Sequence, residues 1–92
     1  MMITVQGLAE VVRRAGGHPL PTIGGRATFT ATLHGDEIFI TPTSSGKPRP
    51  LRLGLDQAIE LYNRTGSMNT ADYQPFMLNS VYFLRLVSLV KR

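Results

Sequence analysis

The stretch that decides the fold reads Ala27-Thr28-Phe29-Thr30-Ala31-Thr32-Leu33-His34-Gly35-Asp36-Glu37-Ile38-Phe39-Ile40-Thr41-Pro42. Its first half alternates small or apolar residues with threonines, which is the period of a strand with one buried face. Gly35-Asp36 has the glycine-first pattern of a two-residue hairpin loop, so residues 37–41 are expected to return as a second strand.

The register of this hairpin follows from the apolar residues. With His34 opposite Glu37, the pairs that share one face are Leu33 with Ile38, Ala31 with Ile40, and Phe29 with Pro42. A sheet with one buried face requires this arrangement. The other face carries Thr28, Thr30, Thr32 and Phe39, and we expect it to be more exposed. Phe39 is compatible there with two roles, packing against a helix or stacking on a base.

On the N-terminal side of the hairpin, a helix is expected from an N-cap at Thr4 to a closing residue at Gly16. Its half-buried stripe consists of Leu8, Val11, Val12 and Ala15. The segment His18-Pro19-Leu20-Pro21 is interpreted as a stiff extended connector, because each proline fixes its own φ and disfavours helix in the residue before it.

On the C-terminal side, residues 43–50 have the composition of a loop, and Leu51-Arg52-Leu53 is a candidate third strand. A second helix is expected from Leu55, with Gly66 ending it. The apolar segment Val81–Val90 is interpreted as a helix capped by Ser80, because only a helix gathers its polar residues into one stripe. That stripe consists of Arg85, Ser88 and Arg92.

These elements predict one α+β domain over residues 1–92. We expect a three-stranded antiparallel sheet with helices packed on one face, in the order α-β-β-β-α-α. The chain has no cysteine, which excludes disulfides, zinc fingers, iron–sulfur clusters and thiol catalysis. No signal peptide or membrane span is visible, so we expect a cytoplasmic protein without membrane contact.

The net charge of +4 is unevenly distributed along the chain. Acidic residues are absent from 11–35, 38–55 and 73–92, and such basic stretches attract polyanions. The candidate nucleic-acid-binding residues are Ser44, Ser45, Lys47, Arg49 and Arg52, helped by Arg26 and Arg64. Prolines 48 and 50 hold this strip extended, which lowers the entropy lost when several cations engage phosphates. The alternative is a solvated loop whose charges protect the sheet edge from aggregation.

No motif for catalysis, a metal or a cofactor is found, and we expect a protein that is not an enzyme. Ser44-Ser45-Gly46-Lys47 has part of a phosphate-binding loop, but Pro48 follows where a hydroxyl residue should open a helix. His34 lies beside Asp36 without a nucleophile in the pattern, so it is interpreted as a turn histidine and not as a proton shuttle.

The order α-β-β-β-α over Thr4 to Thr65 resembles the double-stranded-RNA-binding domain. That family reads the A-form shape with its first helix, the loop between its first two strands and a lysine cluster that opens its second helix. Here the second helix opens Leu55-Asp56-Gln57-Ala58, without that cluster, and the loop has two residues. The chain as a whole also resembles in kind the small orphan proteins of phages and mobile elements, including anti-CRISPR proteins. That resemblance implies an inhibitor that occupies a surface of a host nucleoprotein.

Two functions therefore remain open. The first is a module that contacts the phosphate backbone of DNA or RNA through residues 44–52. The second is an inhibitor or adaptor that binds a host protein or nucleoprotein complex, with the exposed strand edge and the threonine-rich sheet face as candidate contacts. The sequence also leaves open whether the chain forms a homodimer.

Overall fold

The computed structural model describes residues 2–90 and arranges them as an α+β fold. Within that range the helices are α1 (Val5–Ala15), α2 (Leu55–Thr65), a short 3-10 helix (Thr70–Asp72) and α3 (Ser80–Val90). The strands are β1 (Leu20–Pro21), β2 (Thr28–His34), β3 (Glu37–Pro42) and β4 (Arg49–Pro50). They form one antiparallel sheet in the order β1-β2-β3-β4.

The β2–β3 hairpin has the predicted register. His34 pairs with Glu37 at the turn, and Phe29 pairs with Pro42 at the far end. Phe29, Ala31, Ile38 and Ile40 are all buried on the predicted inner face. The prediction is confirmed because the two-residue loop and the alternation of apolar residues are both satisfied by one pairing.

The prediction of three strands in the order α-β-β-β-α-α was wrong, because residues 2–90 form a four-stranded sheet and follow the order α-β-β-β-β-α-α, with the short 3-10 helix before the last helix. The additional strand is β1, where Leu20 pairs with Phe29 inside the segment that the prolines had suggested was only a connector. The last strand is also displaced from 51–53 to Arg49–Pro50. Beyond it, Leu51 is buried in the core, whereas Leu53 is 83% exposed.

Pro19 and Pro21 flank Leu20 of β1, and their backbone nitrogens lie on the side away from β2. The Thr22 N–H donates to the Ala27 carbonyl at 2.9 Å, so it points toward β2. Backbone N–H directions alternate along a strand, and the Leu20 N–H therefore also faces β2. The nitrogens of Pro19 and Pro21 face outward and carry no hydrogen.

The opposite edge of the sheet has the same construction. The Leu51 N–H donates to the Ile38 carbonyl at 2.8 Å, so the N–H of Arg49, two residues earlier, also faces β3. The nitrogens of Pro48 and Pro50 are directed outward. The repeated Pro-x-Pro sequence thus removes hydrogen-bond donors from the outer side of β1 and of β4, which disfavours pairing of a further strand there.

Helix α1 packs against β2, β3 and α3. It begins as predicted, because the Thr4 hydroxyl accepts a hydrogen bond from the Gly7 N–H at 3.0 Å, and it ends at Gly16. Its buried residues are Leu8, Val11 and Val12. The segment before it is fastened to α2, because the Asn63 side chain accepts from the Ile3 N–H at 2.7 Å and donates to the Ile3 carbonyl at 3.0 Å.

The apolar C-terminal segment is helical, as predicted. Four α3 side chains, Phe83, Leu84, Leu86 and Val87, are completely buried, which makes this helix a central part of the core. Ser80 is the first helical residue and not the cap, because the Asn79 carbonyl already accepts from the N–H groups of Tyr82 and Phe83. Arg85 and Ser88 lie on its half-buried side, and Arg92 of the predicted stripe lies outside the described residues. No helix in residues 2–90 is long and apolar enough to span a bilayer.

Candidate nucleic-acid interface

The pairing of the strands gives the sheet two chemically different ends. The β2–β3 turn lies at one end. The turn before β2 (residues 22–27) and the loop between β3 and β4 (residues 43–48) both lie at the other end. Thr28 and Thr43 join the two segments, with a backbone hydrogen bond of 3.0 Å and a contact of 2.7 Å between their hydroxyls.

The 43–48 loop is closed by its own hydrogen bonds. The Gly46 N–H donates to the Pro42 carbonyl at 2.8 Å, and the Lys47 N–H donates to the Ser45 hydroxyl oxygen at 3.3 Å. Gly46 has a φ of 66°, a conformation that favours glycine. Ser44, Ser45 and Lys47 are exposed, and the Ser45 hydroxyl hydrogen remains available to a ligand.

Three exposed cations lie at this end of the sheet: Arg26 in the turn, Lys47 in the loop and Arg49 at the start of β4. Arg49 lies opposite Ile40, and at the sheet edge it stays exposed. None of the three makes an ion pair with any residue in 2–90. We call the turn 22–27, the loop 43–48 and Arg49 the basic end. Because no acidic residue occurs in these segments, its positive charge is not neutralised locally.

The structure does not bring the other two predicted cations to the basic end. Arg52 lies beyond β4 and forms an ion pair with Glu37, the first residue of β3 at the hairpin end. Arg64 lies near the C-terminus of α2, where its guanidinium is 3.9 Å from the Glu60 carboxylate. The predicted strip is therefore divided, with Arg26, Lys47 and Arg49 separated from Arg52 and Arg64.

The hairpin end is acidic. A groove of about 390 Å³ is lined there by Asp36 and Glu37 of the hairpin and by Asp56 in the first turn of α2, together with His34 and Arg52. An acidic residue in the first turn of a helix is favoured by the positive end of the helix dipole, so Asp56 has a structural reason to be there. Within residues 2–90, no set of three or more histidine and carboxylate side chains is arranged to hold a metal ion.

The outer face of the sheet connects the two ends. Thr28 and Thr32 are exposed, and Thr30, Thr41 and Phe39 are half-buried, as the alternation predicted. Phe39 lies opposite Thr32 on one side and Pro50 on the other. Its ring packs edge-to-face on His34, with the ring centres 4.9 Å apart and an interplanar angle of 80°. This contact explains the position of His34 without any proton transfer.

Sequence reasoning missed the separation of charge between the ends of the sheet. The pattern of acid-free segments was visible, but their meeting at one end depends on the pairing of β1 with β2 and of β3 with β4. The comparisons give no further guidance, because no protein-family model, no curated protein and no solved structure matches the chain.

Proposed function

We propose that this protein is a non-enzymatic binding protein whose basic end contacts the phosphate backbone of a nucleic acid. The observation that carries the proposal is that strand pairing brings the segments of Arg26, Lys47 and Arg49 to one end of the sheet, where all three are exposed and without an ion pair among the described residues. Cations that are not neutralised within the protein release counterions from a nucleic acid when they bind it, and this release drives association.

The chemistry of the basic end suits a backbone contact. The two serines of the 43–48 loop supply hydroxyl groups beside Lys47, and phosphate oxygens accept from such groups as well as from cations. The prolines on either side of Arg49 restrict the chain, so that less conformational entropy is lost on binding. Contacts of this kind position a protein on a nucleic acid without reading its bases.

A protein-directed inhibitor or adaptor, of the kind found in phages and mobile elements, is the second candidate. The observation that favours it is the exposure of Leu53 at 83% and Leu78 at 92%. Leu53 precedes Gly54, and Leu78 follows Met77. Gly54 packs against the backbone of Phe76 and the side chain of Met77, so the two exposed leucines belong to segments that lie close together. Large exposed apolar side chains are enriched where proteins bind each other. Prolines disfavour strand addition along β1 or β4, whereas residues 30–34 of β2 have no strand partner on the β1 side within residues 2–90.

The experiment is a salt titration of binding to fluorescent single-stranded and duplex oligonucleotides of DNA and RNA. The test variant replaces Arg26, Lys47 and Arg49 by alanine. The control variant replaces Arg13, Arg14 and Arg64 by alanine, which removes the same net charge away from the basic end. The slope of log affinity against log salt should become shallower by about 2–3 in the test variant, since each lost phosphate contact contributes about 0.7–0.9.

The control variant should retain most of the wild-type slope. Both variants should keep the wild-type melting temperature, because the substituted side chains are exposed. Equal losses in the two variants would show that only net charge matters and would remove the basic end as the site. Absence of binding to DNA and RNA at about 50 mM salt, where backbone contacts are strong, would end the proposal in favour of the inhibitor.

A further inference from the structure

The outer face of the sheet is an open surface that begins at the basic end. Its β2 and β3 side chains are exposed or half-buried, whereas their neighbours on the inner face are in the core. No helix among residues 2–90 covers it. Threonines dominate this face, and its one carboxylate on β2 or β3, that of Glu37, is paired with Arg52. A polyanion that leaves the basic end along this face therefore meets no unpaired negative charge on these two strands.

Phe39 is an unusual residue in the centre of this face. Phe29 and Phe83 are completely buried, but Phe39 remains half-buried with its ring against His34. Packing in the core does not account for it. Aromatic rings on an open sheet are the platforms on which proteins stack the bases of single-stranded nucleic acids.

The distance from the basic end to Phe39 suits a continuous ligand. Phe39 precedes Thr43, the first residue of the loop, by four positions, which corresponds to about 13 Å along a strand. The pair Thr30 and Thr41 lies between them and presents two hydroxyl groups. A backbone held by Arg26 and Lys47 can thus continue over these threonines and place a base on Phe39.

A base can stack on Phe39 only if its face is accessible, and this requirement favours a single strand over a duplex. In a duplex, the bases are stacked on one another, and their faces are closed to an aromatic side chain. The outer face also has no helix or protruding strand that would enter a groove. We infer that the ligand is a single-stranded nucleic acid, with its backbone at the basic end and one base stacked on Phe39. The inference rests on the proposed function, and it adds the class of nucleic acid and the side chain that contacts a base.

The test uses a 12-nucleotide oligothymidine and a 12-base-pair duplex with Phe39→Ala, Phe39→Leu and Phe39→Trp. Leucine keeps the apolar bulk without a π-face, so it separates stacking from folding. Loss of one stacked base should weaken binding of the single strand by about 5- to 150-fold in the alanine and leucine variants. The salt slope should stay at the wild-type value, because the phosphate contacts remain.

Phe39→Trp should bind at least as tightly as the wild type and supply a direct signal. The protein contains no tryptophan, so the introduced indole is its only one, and a base stacked on it quenches its fluorescence. Leu53→Trp, at an 83% exposed position beyond β4, is the control and should not be quenched.

The possible failures are distinguishable. The inference is wrong if the alanine and leucine variants bind like the wild type, or if the tryptophan at position 39 is not quenched. The proposed function still stands in that case, provided that the basic-end variant shows the shallower slope of log affinity against log salt. Equal affinity for duplex and single strand would also overturn the inference alone. Absence of any binding by the wild type would overturn both.

Discussion

Arg52 and Glu37 form an ion pair that links the segment after β4 to the first residue of β3. Both Nε and Nη2 of the guanidinium contact the same oxygen, Oε2 of the carboxylate. The Arg52 side chain is 72% exposed and that of Glu37 is 27% exposed, so the carboxylate is the more enclosed partner. Arg52 therefore neutralises an acid of the outer face, and it is not a free cation like Lys47.

The pair predicts different effects on nucleic-acid binding when its two members are substituted. Glu37→Gln removes a negative charge and frees Arg52, so affinity for a single-stranded oligonucleotide at low salt should rise several-fold. Arg52→Ala should change the salt slope much less than Lys47→Ala does. The measurement is fluorescence anisotropy over a range of salt concentrations. A loss of slope in Arg52→Ala equal to that in Lys47→Ala would show that Arg52 is part of the phosphate site.

Gly54 is predicted to be the least replaceable glycine of the fold. It has a φ of 77° at the start of α2, and an added Cβ would overlap the carbonyl oxygen of Phe76. Gly54→Ala should therefore cost about 2–5 kcal/mol, the sum of left-handed strain and overpacking. Gly46→Ala is the control, since its φ is 66° with nothing within 4 Å, and it should cost only about 1–2 kcal/mol. Urea unfolding of both variants measures the difference, and equal costs would contradict the steric argument.

Asn63 is predicted to hold the N-terminal segment on α2. Asn63→Ala removes both hydrogen bonds to the backbone of Ile3 and leaves its part-buried N–H and C=O groups without these partners. The loss of stability should be about 1–3 kcal/mol. Asn69→Ala, which removes one exposed hydrogen bond to the Ala71 N–H, should cost less. Chemical denaturation of the two variants compares them, and a larger loss at position 69 would contradict the assignment.

Tyr73 is predicted to make stability depend on alkaline pH. Burial raises the pKa of its hydroxyl above the ordinary value of 10.0, and the nearby Asp72 and Tyr62 raise it further. The folded state therefore favours the protonated form. The corresponding stabilisation is complete below pH 10 and disappears as the pH rises through the raised folded pKa.

The matched variant is Tyr73→Phe, which does not titrate. It loses the hydrogen bond from the Tyr73 hydroxyl to the Ser67 carbonyl, 2.8 Å long, and should be less stable at neutral pH by about 1 kcal/mol. The free-energy difference between wild type and variant, measured by urea unfolding at each pH, should shrink above pH 10. A difference that stays constant through pH 11 and beyond would contradict the raised pKa.

The hairpin was predictable because two local signals agree on one register. The turn Gly35-Asp36 fixes which residues face each other, and a shift of one residue from that pairing would place Phe29 and Ile40 on opposite faces. The C-terminal helix was predictable for a similar reason, since only a helix separates Arg85 and Ser88 from the apolar residues. In both segments the burial pattern is contained within neighbouring residues.

The edge strands were not predictable from local patterns. Leu20 lies between two prolines, and nothing near it reveals that its partner is Phe29. Leu51 and Leu53 alternate like a strand, but the turn at Gly54 sends Leu53 into solvent. The candidate site was affected by the same long-range pairing. Its basic loop was recognisable in the sequence, whereas the separation of Lys47 from Arg52 depends on the pairing of β4 with β3, which brings Arg52 to Glu37.

The proline pairs of β1 and β4 also bear on self-association. The prolines beside Leu20 and Arg49 disfavour a ribbon in which two copies pair along β1 or β4, because such a ribbon needs a row of amide hydrogens. If the protein binds a long nucleic acid as proposed, pairing of neighbouring molecules along β1 or β4 would not supply cooperativity.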